Sequence, residues 1–388
     1  MSNAFAVFRL PHARQAFRIE GEAQVIPSLR DLGDRQGFVI APFVATDDTP
    51  ILLVSGASGE LRTESGEWRV ESGEFATAVV SDAVANSQFS VLSSQFSQSS
   101  VLSSQFSQSS VLSSQSSEFS ALSSQLDSYP FSTFHTALLS GRFQKLVLAR
   151  CAVEANDGHS TPMMLFERAC QRYPRMFIAL VSAPQCGTWL TATPEVLLEN
   201  LPQSDLWRTI ALAGTMRLRD DELDGEGLHL RWSTKNIQEQ RYVASYIADT
   251  LKRLGLDYRE EGPRTVRAAN LVHLRSDFTF SLSNNGTRVG ALLDALHPTP
   301  AVCGLPKKEA LEFILQNEPV PRRYYCGFMG PVNSQCSTHL YVTLRCMQIA
   351  SQHYHLYAGG GLLCDSVCDK EWRETEAKME TMRQIVNP

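Results

Sequence analysis

The sequence near its C-terminus places two acids and a lysine on one side of a predicted helix. The stretch C-D-K-E-W-R-E-T-E-A-K-M-E-T-M occupies residues 368–382. In a helix, Glu371, Glu374 and Lys378 follow one another at intervals that put them on one face. Met382 continues that face, so we expect it to point inward. From this segment alone, a frayed and solvated last helix whose charges serve only solubility is the alternative.

A second predicted helix points another acid toward the interior. It reads K-N-I-Q-E-Q-R-Y-V-A-S-Y-I-A-D-T-L-K-R-L, residues 235–254, and its apolar stripe extends backward from Tyr242 to Glu239. A buried carboxylate is costly unless it is paired, protonated or bound to a metal. Inward acids on two helices suggest a hard cation that prefers oxygen ligands, with Mg²⁺ the ordinary candidate. Buried ion pairs with lysine or arginine are the alternative.

Two further stretches could act on a substrate. Lys145 lies in the apolar run F-Q-K-L-V-L-A-R, residues 143–150, which predicts a buried strand. Such a lysine either reaches back to solvent or is desolvated and able to serve as a base. The run Y-A-G-G-G-L-L, residues 357–363, has glycine amides that could hold a carboxylate or phosphate, or it forms an ordinary tight turn.

The elements that must position these residues alternate irregularly between strand and helix. Residues 1–82 have the pattern of short strands and turns, and Thr161 with Pro162 predicts the start of a helix. Strands and helices follow without strict β-α-β alternation. This order predicts an α/β fold of the α+β type with a largely antiparallel sheet.

A repeat rich in serine and glutamine interrupts the chain. From Val91 a ten-residue unit, V-L-S-S-Q-F-S-Q-S-S, recurs with small changes. Each unit brings too little apolar surface to offset the entropy of ordering, so residues 87–126 are predicted to be a disordered insertion without chemistry. A Ser-rich amphipathic surface helix is the alternative. The repeat separates residues 1–86, an N-terminal part of the fold, from residues 127–388, which contain the candidate catalytic residues and would form the catalytic core.

Composition narrows the class of protein. The chain has 388 residues, of which 43% are hydrophobic and 20% charged, as in ordinary globular proteins. A net charge of −6 gives no reason to expect nucleic acid or an anionic membrane as partner. No apolar run approaches the roughly 18–20 residues of a membrane span, and the nine cysteines form no C-x-x-C pair. We therefore expect a cytoplasmic protein with reduced thiols. We also expect it to be monomeric or weakly homodimeric.

Nine stretches of the chain, taken in order, resemble the chorismate-utilising enzyme family, and most closely its isochorismate synthases. They read S-G-R-F-Q-K-L-V-L-A-R, T-A-T-P-E-V-L-L, L-A-G-T, S-T-K-N-I-Q-E-Q, N-L-V-H-L, L-H-P-T-P-A-V-C-G-L-P, R-R-Y-Y-C-G-F-M-G, V-T-L-R, and Y-A-G-G-G-L-L with the later E-W-R-E-T-E-A-K. They cover residues 135–380 almost without a gap. The combination of L-H-P-T-P-A-V with E-W-R-E-x-x-x-K is the most specific part of the resemblance.

The resemblance implies a fold, a cofactor and a site. The fold would be a sandwich of two antiparallel sheets with helices outside and the active site in the cleft between them. Mg²⁺ would hold the ring carboxylate of chorismate, with Glu239 and Glu374 as direct ligands and Glu371 bound directly or through water. Lys145 would be the base that activates water, and Glu195 the acid that protonates the departing C4 hydroxyl. The residues that would bind or surround the substrate are Gly214, Thr215, His297, Arg345, Gly359, Gly361 and Lys378.

The implied reaction explains why an acid and a base are both needed. Water adds at C2 of chorismate while hydroxide leaves C4 through the shifting double bond, so the two groups must act on different sides of the ring. Each is typically worth about 10²–10⁴ in rate. The scheme requires a neutral amine on Lys145 and a proton on Glu195 at pH 7, which burial would favour. The product would enter menaquinone or siderophore biosynthesis.

Single positions separate the chain from some members of the family but not from all of them. Relatives that deliver ammonia resemble a pattern with glutamine at Lys145 or with lysine at Ala213, so both positions favour water as the nucleophile. Salicylate synthases share Lys145 and also eliminate pyruvate, which makes them the first alternative. The second is a chorismate-binding protein without turnover, because the family usually has aspartate at Asn236 and histidine at Gln240.

Overall fold

The structure, a computed structural model, describes residues 4–32, 35–64, 67–72, 129–200, 205–217, 231–268, 271–282, 289–333 and 337–387. The predicted Ser/Gln-rich insertion at 87–126 lies outside these residues. The division of the chain into three parts therefore stays a prediction.

The described residues form seventeen strands and six α-helices. The strands are β1 Ala4–Arg9, β2 Ala16–Ile26, β3 Gln36–Ala41, β4 Ile51–Glu64, β5 Glu67–Ser72, β6 Lys145–Ala155, β7 Phe177–Ala183, β8 Gly187–Thr193, β9 Val196–Asn200, β10 Leu206–Arg217, β11 Tyr258–Ala268, β12 Leu271–Ser281, β13 Gly304–Leu305, β14 Phe328–Asn333, β15 His339–Val342, β16 Cys346–Ile349 and β17 His353–Leu362. The helices are α1 Phe131–Leu139, α2 Pro162–Arg172, α3 Thr234–Arg253, α4 Val289–Leu296, α5 Lys307–Asn317 and α6 Cys368–Val386, and a 3₁₀ helix spans Leu29–Leu32.

Every strand pairing in the described residues is antiparallel, which confirms the predicted fold class. The pairings run in one continuous order, β13-β6-β17-β16-β8-β7-β1-β2-β4-β3-β14-β15-β9-β10-β12-β11, with β5 beside β4. The structure differs from the predicted sandwich in one respect. The prediction had two separate sheets, whereas the strands form one continuous hydrogen-bonded sheet.

The sheet has two halves, which run in the order above from β13 to β2 and from β4 to β11. Aromatic contacts show that these halves pack face to face. Phe177 of β7 stacks on Tyr341 of β15 with 4.2 Å between ring centroids. Phe8 of β1 lies 5.4 Å from Phe38 of β3. These buried rings belong to the larger hydrophobic core, whose burial provides the main driving force for closing the halves on each other.

The helices lie against the sheet and begin where the sequence predicts. Thr161 caps α2 by accepting a hydrogen bond from the Met164 amide at 3.3 Å, with Pro162 in the first turn. Ser233 caps α3 in the same way. Helix α3 contacts β10 and β12, and α6 contacts β17. No helix within the described residues combines the length and the apolar composition needed to cross a membrane.

Helix α6 has the inward face that its sequence predicts. Glu371, Met379, Met382 and Ile385 are all buried on it. Met379 and Met382 pack in a hydrophobic cluster with Phe166 of α2. The alternative of a frayed, solvated last helix is therefore wrong.

Candidate active site

A cavity opens where the glycine-rich strand β17 faces β10 and helix α3. It encloses about 670 Å³ of empty space, its open mouth included. Apolar side chains, among them Leu212 and Val302, form much of the wall. The predicted site residues in the wall are Glu195, Gly214, Thr215, Glu239, Arg345, Gly359, Gly361 and Lys378. Residues far apart in sequence thus meet at one concave surface, as is usual for small-molecule sites.

Two glycines of β17 let acidic side chains approach the strand closely. A Cβ atom added at Gly361 would lie 2.0 Å from Glu239 Oε1 and 2.9 Å from Lys145 Cε. At Gly360 it would lie 3.4 Å from Glu371 Oε2 and 3.9 Å from Glu374 Oε1. The glycine run therefore does not form the tight turn that the sequence analysis gave as an alternative. It lies inside a strand paired with β6, and it makes room for the acids of α3 and α6.

Each of the three acids is paired with a lysine. The pairs are Lys145 Nζ with Glu239 Oε1 at 3.0 Å, Lys378 Nζ with Glu374 Oε1 at 2.7 Å, and Lys235 Nζ with Glu371 Oε1. Lys145 is completely buried, so its side chain does not reach solvent. The buried ion pairs that the sequence left open as an alternative are thus present. The same three acids also lie close together beside β17.

Burial and neighbouring charges act differently on two of the acids. Burial alone would raise the pKa of Glu239, but the charges of Lys145 and Lys235 outweigh it and hold the pKa below its usual value. Burial raises the pKa of Glu371, and Lys235 offsets this only in part. The negative charge of Glu374 adds to the rise at Glu371. Glu239 is therefore an anion at neutral pH, whereas Glu371 takes up a proton more readily than an exposed glutamate.

Glu195 has the strongest shift of the acids in the wall. It lies between β8 and β9 with 3% of its surface exposed. Burial raises its pKa to about 8, although the nearby charges of Lys145 and Lys378 lower it somewhat. Glu195 therefore carries a proton at pH 7 and can donate it to a leaving group.

Glu239, Glu371 and Glu374 supply carboxylate oxygens, the type of ligand that Mg²⁺ prefers. Three carboxylates from α3 and α6 converge on Gly360 and Gly361. Within the described residues, Glu371 Oε2 is buried without a well-formed hydrogen bond, although the Ser366 hydroxyl interacts with the carboxyl group and opposes the rise in its pKa. In the part of the chain that the structure describes, no three acidic, histidine or cysteine side chains already form a coordination group. The donors fit the ion by type and place, although one oxygen of each carboxylate also contacts a lysine.

Arg345 is held at the cavity wall by a histidine that the sequence did not single out. Arg345 Nη2 lies 2.8 Å from His273 Nε2, and His273 Nδ1 lies 3.2 Å from the Gly214 carbonyl oxygen. A guanidinium only donates, so Nε2 accepts and Nδ1 carries the hydrogen. Burial, then the charges of Arg345 and Lys378, lower the pKa of His273 well below its usual range, which keeps the ring neutral. Burial also lowers the pKa of Arg345 to about 10.

Comparison with known proteins identifies the family. Residues 72–387 match the family model described as chorismate binding enzyme. The chain belongs to this family.

Three relatives illustrate the similarity. The chain is 30% identical over 244 residues to isochorismate synthase EntC of Escherichia coli, covering 62% of each protein. It is 32% identical over 198 residues to isochorismate synthase DhbC of Bacillus subtilis, covering 50% of this chain and 49% of that one. The match thus spans about three fifths or less of these curated relatives. The solved structure of MenF, the menaquinone-specific isochorismate synthase of Escherichia coli, shares the fold with a TM-score of 0.72 at 20% identity, covering 100% of this chain and 89% of that one.

Gln240 and Asn236, which the resemblance suggests are departures from the family pattern, hold strand β10 of this chorismate binding enzyme. Gln240 Oε1 accepts from the Ala213 amide at 2.9 Å, and its Nε2 donates to the Ala211 carbonyl oxygen at 3.1 Å. The pairing of β10 with β12 is irregular directly after Ala213, where Gly214 has a φ of +69°. Asn236 Nδ2 donates to the Thr215 carbonyl oxygen at 3.4 Å. Both side chains therefore support the strand that carries Gly214 and Thr215.

Four predicted site residues, Lys145, His297, Glu371 and Glu374, are not part of the cavity wall. Of these, His297 is engaged elsewhere. His297 Nε2 lies 3.0 Å from the Pro42 carbonyl oxygen, and its ring packs edge-on against Phe328. Lys307 Nζ donates to the His297 carbonyl oxygen at 2.7 Å. His297 thus joins α4 to the N-terminal strands, and His273 is the histidine at the cavity.

Proposed function

We propose that this chorismate binding enzyme is an isochorismate synthase, which adds water at C2 of chorismate and releases the C4 hydroxyl. The observation that carries the proposal is a protonated carboxyl, Glu195 with a pKa of about 8, in the wall of a cavity that also holds cationic groups. Lys145 is buried beside that wall, and its charge acts on Glu195. The names of EntC, DhbC and MenF agree with this activity.

In this proposal Glu195 is the general acid and Lys145 the general base. Glu195 gives its proton to the C4 oxygen, which converts a poor leaving group into water. Lys145 takes a proton from the attacking water. Lys145 Nζ contacts Glu239 Oε1, so Glu239 must turn away before the amine can reach the attacking water. The neutral state of Lys145 stays a prediction.

Cationic side chains match the two carboxylates of chorismate. Arg345 and Lys378 both line the cavity, and Lys378 Nζ is fixed by the Gly359 carbonyl oxygen at 2.8 Å. His273 orients Arg345 through the contact of their nitrogens. A guanidinium with a fixed plane can bind a carboxylate through two parallel hydrogen bonds.

Glu239, Glu371 and Glu374 are the residues that would hold Mg²⁺. When bound, the ion would supply positive charge and a fixed position for the ring carboxylate. The acids lie against Gly360 and Gly361, on the strand that also carries Gly359. The residues proposed to hold the metal and Lys378, proposed to bind a carboxylate, therefore lie near the same strand.

Incubation with chorismate and Mg²⁺, followed by chromatographic separation of the products, tests the proposal. Isochorismate as the product supports it. Salicylate with pyruvate would instead assign the salicylate synthase activity, and unchanged chorismate with measurable binding would assign a binding protein without turnover. The use of the product for menaquinone or a siderophore, the cytoplasmic location and the monomeric or weakly dimeric state stay predictions.

A further inference from the structure

Lys235, in the first turn of α3, lies among all three acids of the site. Its Nζ contacts Glu371 Oε1 directly. Its charge also interacts with those of Glu239 and Glu374. The Lys235 side chain is 19% exposed and that of Glu371 is 3% exposed, so this contact is largely shielded from water. Shielded charges interact more strongly than surface charges.

The position of Lys235 is the one that a divalent cation would need. Glu239, Glu371 and Glu374 are the acids assigned to Mg²⁺, and the ammonium of Lys235 already interacts with each of them. An ammonium and a divalent ion that share the Glu371 carboxylate repel each other at close range. The two cations must therefore compete for this carboxylate.

Among the lysines paired with these acids, Lys235 can leave more easily than Lys145. The Lys145 side chain has no exposed surface, whereas that of Lys235 is partly exposed and sits on a flexible four-carbon stem. Lys235 contacts only Oε1 of Glu371, and among the described residues Oε2 has no well-formed hydrogen bond, although the Ser366 hydroxyl interacts with the carboxyl group. Withdrawal of Lys235 would expose both oxygens of Glu371 to a new cation.

We propose that Lys235 is a resident counter-ion that stabilises the metal-free site and must withdraw from Glu371 before a divalent cation binds. This inference rests on the proposed function, which assigns the acids to Mg²⁺. Lys235 therefore weakens Mg²⁺ binding and, in exchange, prevents the buried Glu371 carboxylate from being left unpaired in the metal-free protein.

Calorimetric titration of the full chain with Mg²⁺, without chorismate, measures this competition. In Lys235→Met the dissociation constant for Mg²⁺ is expected to fall about tenfold, a typical coupling between competing interactions. The melting temperature in EDTA is expected to fall as well, and Mg²⁺ should raise it by more than it does in the unaltered protein. If Lys235→Met does not fold, Lys235→Gln serves the same purpose, because it also removes the charge.

Two control variants separate competition from a general change in charge. Lys370→Met also removes one positive charge, at the residue before Glu371, but Lys370 is exposed. The Mg²⁺ affinity of this variant should therefore match that of the unaltered protein. Lys235→Arg keeps the charge and should not tighten binding. Equal Mg²⁺ affinities for Lys235→Met and Lys370→Met would overturn the proposal.

Glu371→Gln shows which of the two proposals has failed. If this variant loses Mg²⁺ affinity while Lys235→Met binds no more tightly than Lys370→Met, only the role of Lys235 is refuted. If Glu371→Gln binds Mg²⁺ as well as the unaltered protein, the metal assignment is refuted, and the role of Lys235 with it.

Discussion

The carboxyl group of Glu195 holds its proton at neutral pH because burial raises its pKa to about 8. A general acid works only while it is protonated, so kcat/KM is expected to fall as the pH rises through about 8. In Glu195→Gln, turnover should drop by about 10²–10⁴-fold, and the alkaline decline should disappear from the residual activity. A pH–rate profile of both proteins measures this, and an unchanged alkaline decline in the variant would contradict the role of Glu195.

The same pKa shift affects stability, which the pH–rate experiment must take into account. The native state keeps a proton on Glu195 up to a pKa of about 8, whereas an unfolded chain releases it near the ordinary value of 4.5. Glu195 therefore lowers the stability of the fold as the pH rises between these two values. Thermal melting curves across the same pH range show whether the loss of rate comes from catalysis or from unfolding.

Lys145 can be tested by removing its amine. In Lys145→Ala, turnover should fall by at least about 10²-fold, because no other base is assigned to the attacking water. Binding of chorismate, measured by calorimetry, should persist, since Arg345 and Lys378 are unchanged. Lys252→Ala on the exposed side of α3 is the matched control and should keep full turnover. Substantial residual turnover in Lys145→Ala would exclude it as the base.

Sequence reasoning at this scale found charged residues more readily than their partners. Glu239 and Glu371 were identifiable because each interrupts an apolar helical stripe, and Lys145 because it interrupts an apolar strand. His273 and Gln240 were not identified as site residues, because their partners are Arg345 and backbone atoms of β10 that lie far away in sequence. The position of Lys235 near three acids depends on the contact between helices α3 and α6, and no local sequence pattern reveals that contact.

At the scale of a secondary-structure element, strand β17 is a case in which a local sequence pattern predicted the wrong structure. A run of three glycines predicts a turn or an anion-binding loop, because glycine weakens a strand. The structure uses the missing Cβ atoms inside a paired strand, where acids from two helices need the space. Helices were easier to predict, since their periodicity and the cap at Thr161 are local signals.

Two neighbouring glycines of β17 provide a matched pair of variants. In Gly361→Ala the new Cβ would lie 2.0 Å from Glu239 Oε1, so Glu239 must move from its position. We expect kcat/KM to fall by about 10²-fold, the cost of misplacing a group in a site by about 1 Å, with a higher Mg²⁺ requirement. In Gly360→Ala the nearest atom would be 3.4 Å away, so the loss should be much smaller.

Rate measurements over a series of Mg²⁺ concentrations distinguish the two glycine variants. Melting temperatures show whether either variant has lost its fold. Equal losses in Gly360→Ala and Gly361→Ala would mean that close approach to Glu239 is not the reason for glycine at 361.

At the scale of the whole molecule, the Ser/Gln-rich repeat can be removed as a test of its predicted lack of chemistry. Deletion of residues 87–126 shortens the connection between β5 and α1, and the entropy of closing a connection changes only slowly with its length. We expect kcat/KM and the melting temperature to stay as they are in the full chain. A loss of turnover in a variant that still melts cooperatively would assign the repeat a functional role.

The antiparallel class of the fold was predictable from the irregular order of strands and helices, but the continuity of the sheet was not. Strand pairing depends on which apolar faces meet after the chain has turned back many times. The pairing of β2 with β4, which links the two halves, involves two long strands near the N-terminus that the sequence showed only as short segments.

The long-range pairings of the sheet have a consequence during synthesis. Val39 of β3 pairs with Gly330 of β14, and Val7 of β1 pairs with Leu180 of β7. When the first of these strands emerge from the ribosome, their partners have not yet been translated, so apolar strand edges stay uncovered. Folding of the nascent chain is therefore expected to wait for nearly the entire polypeptide, and the early strands are natural targets for chaperones.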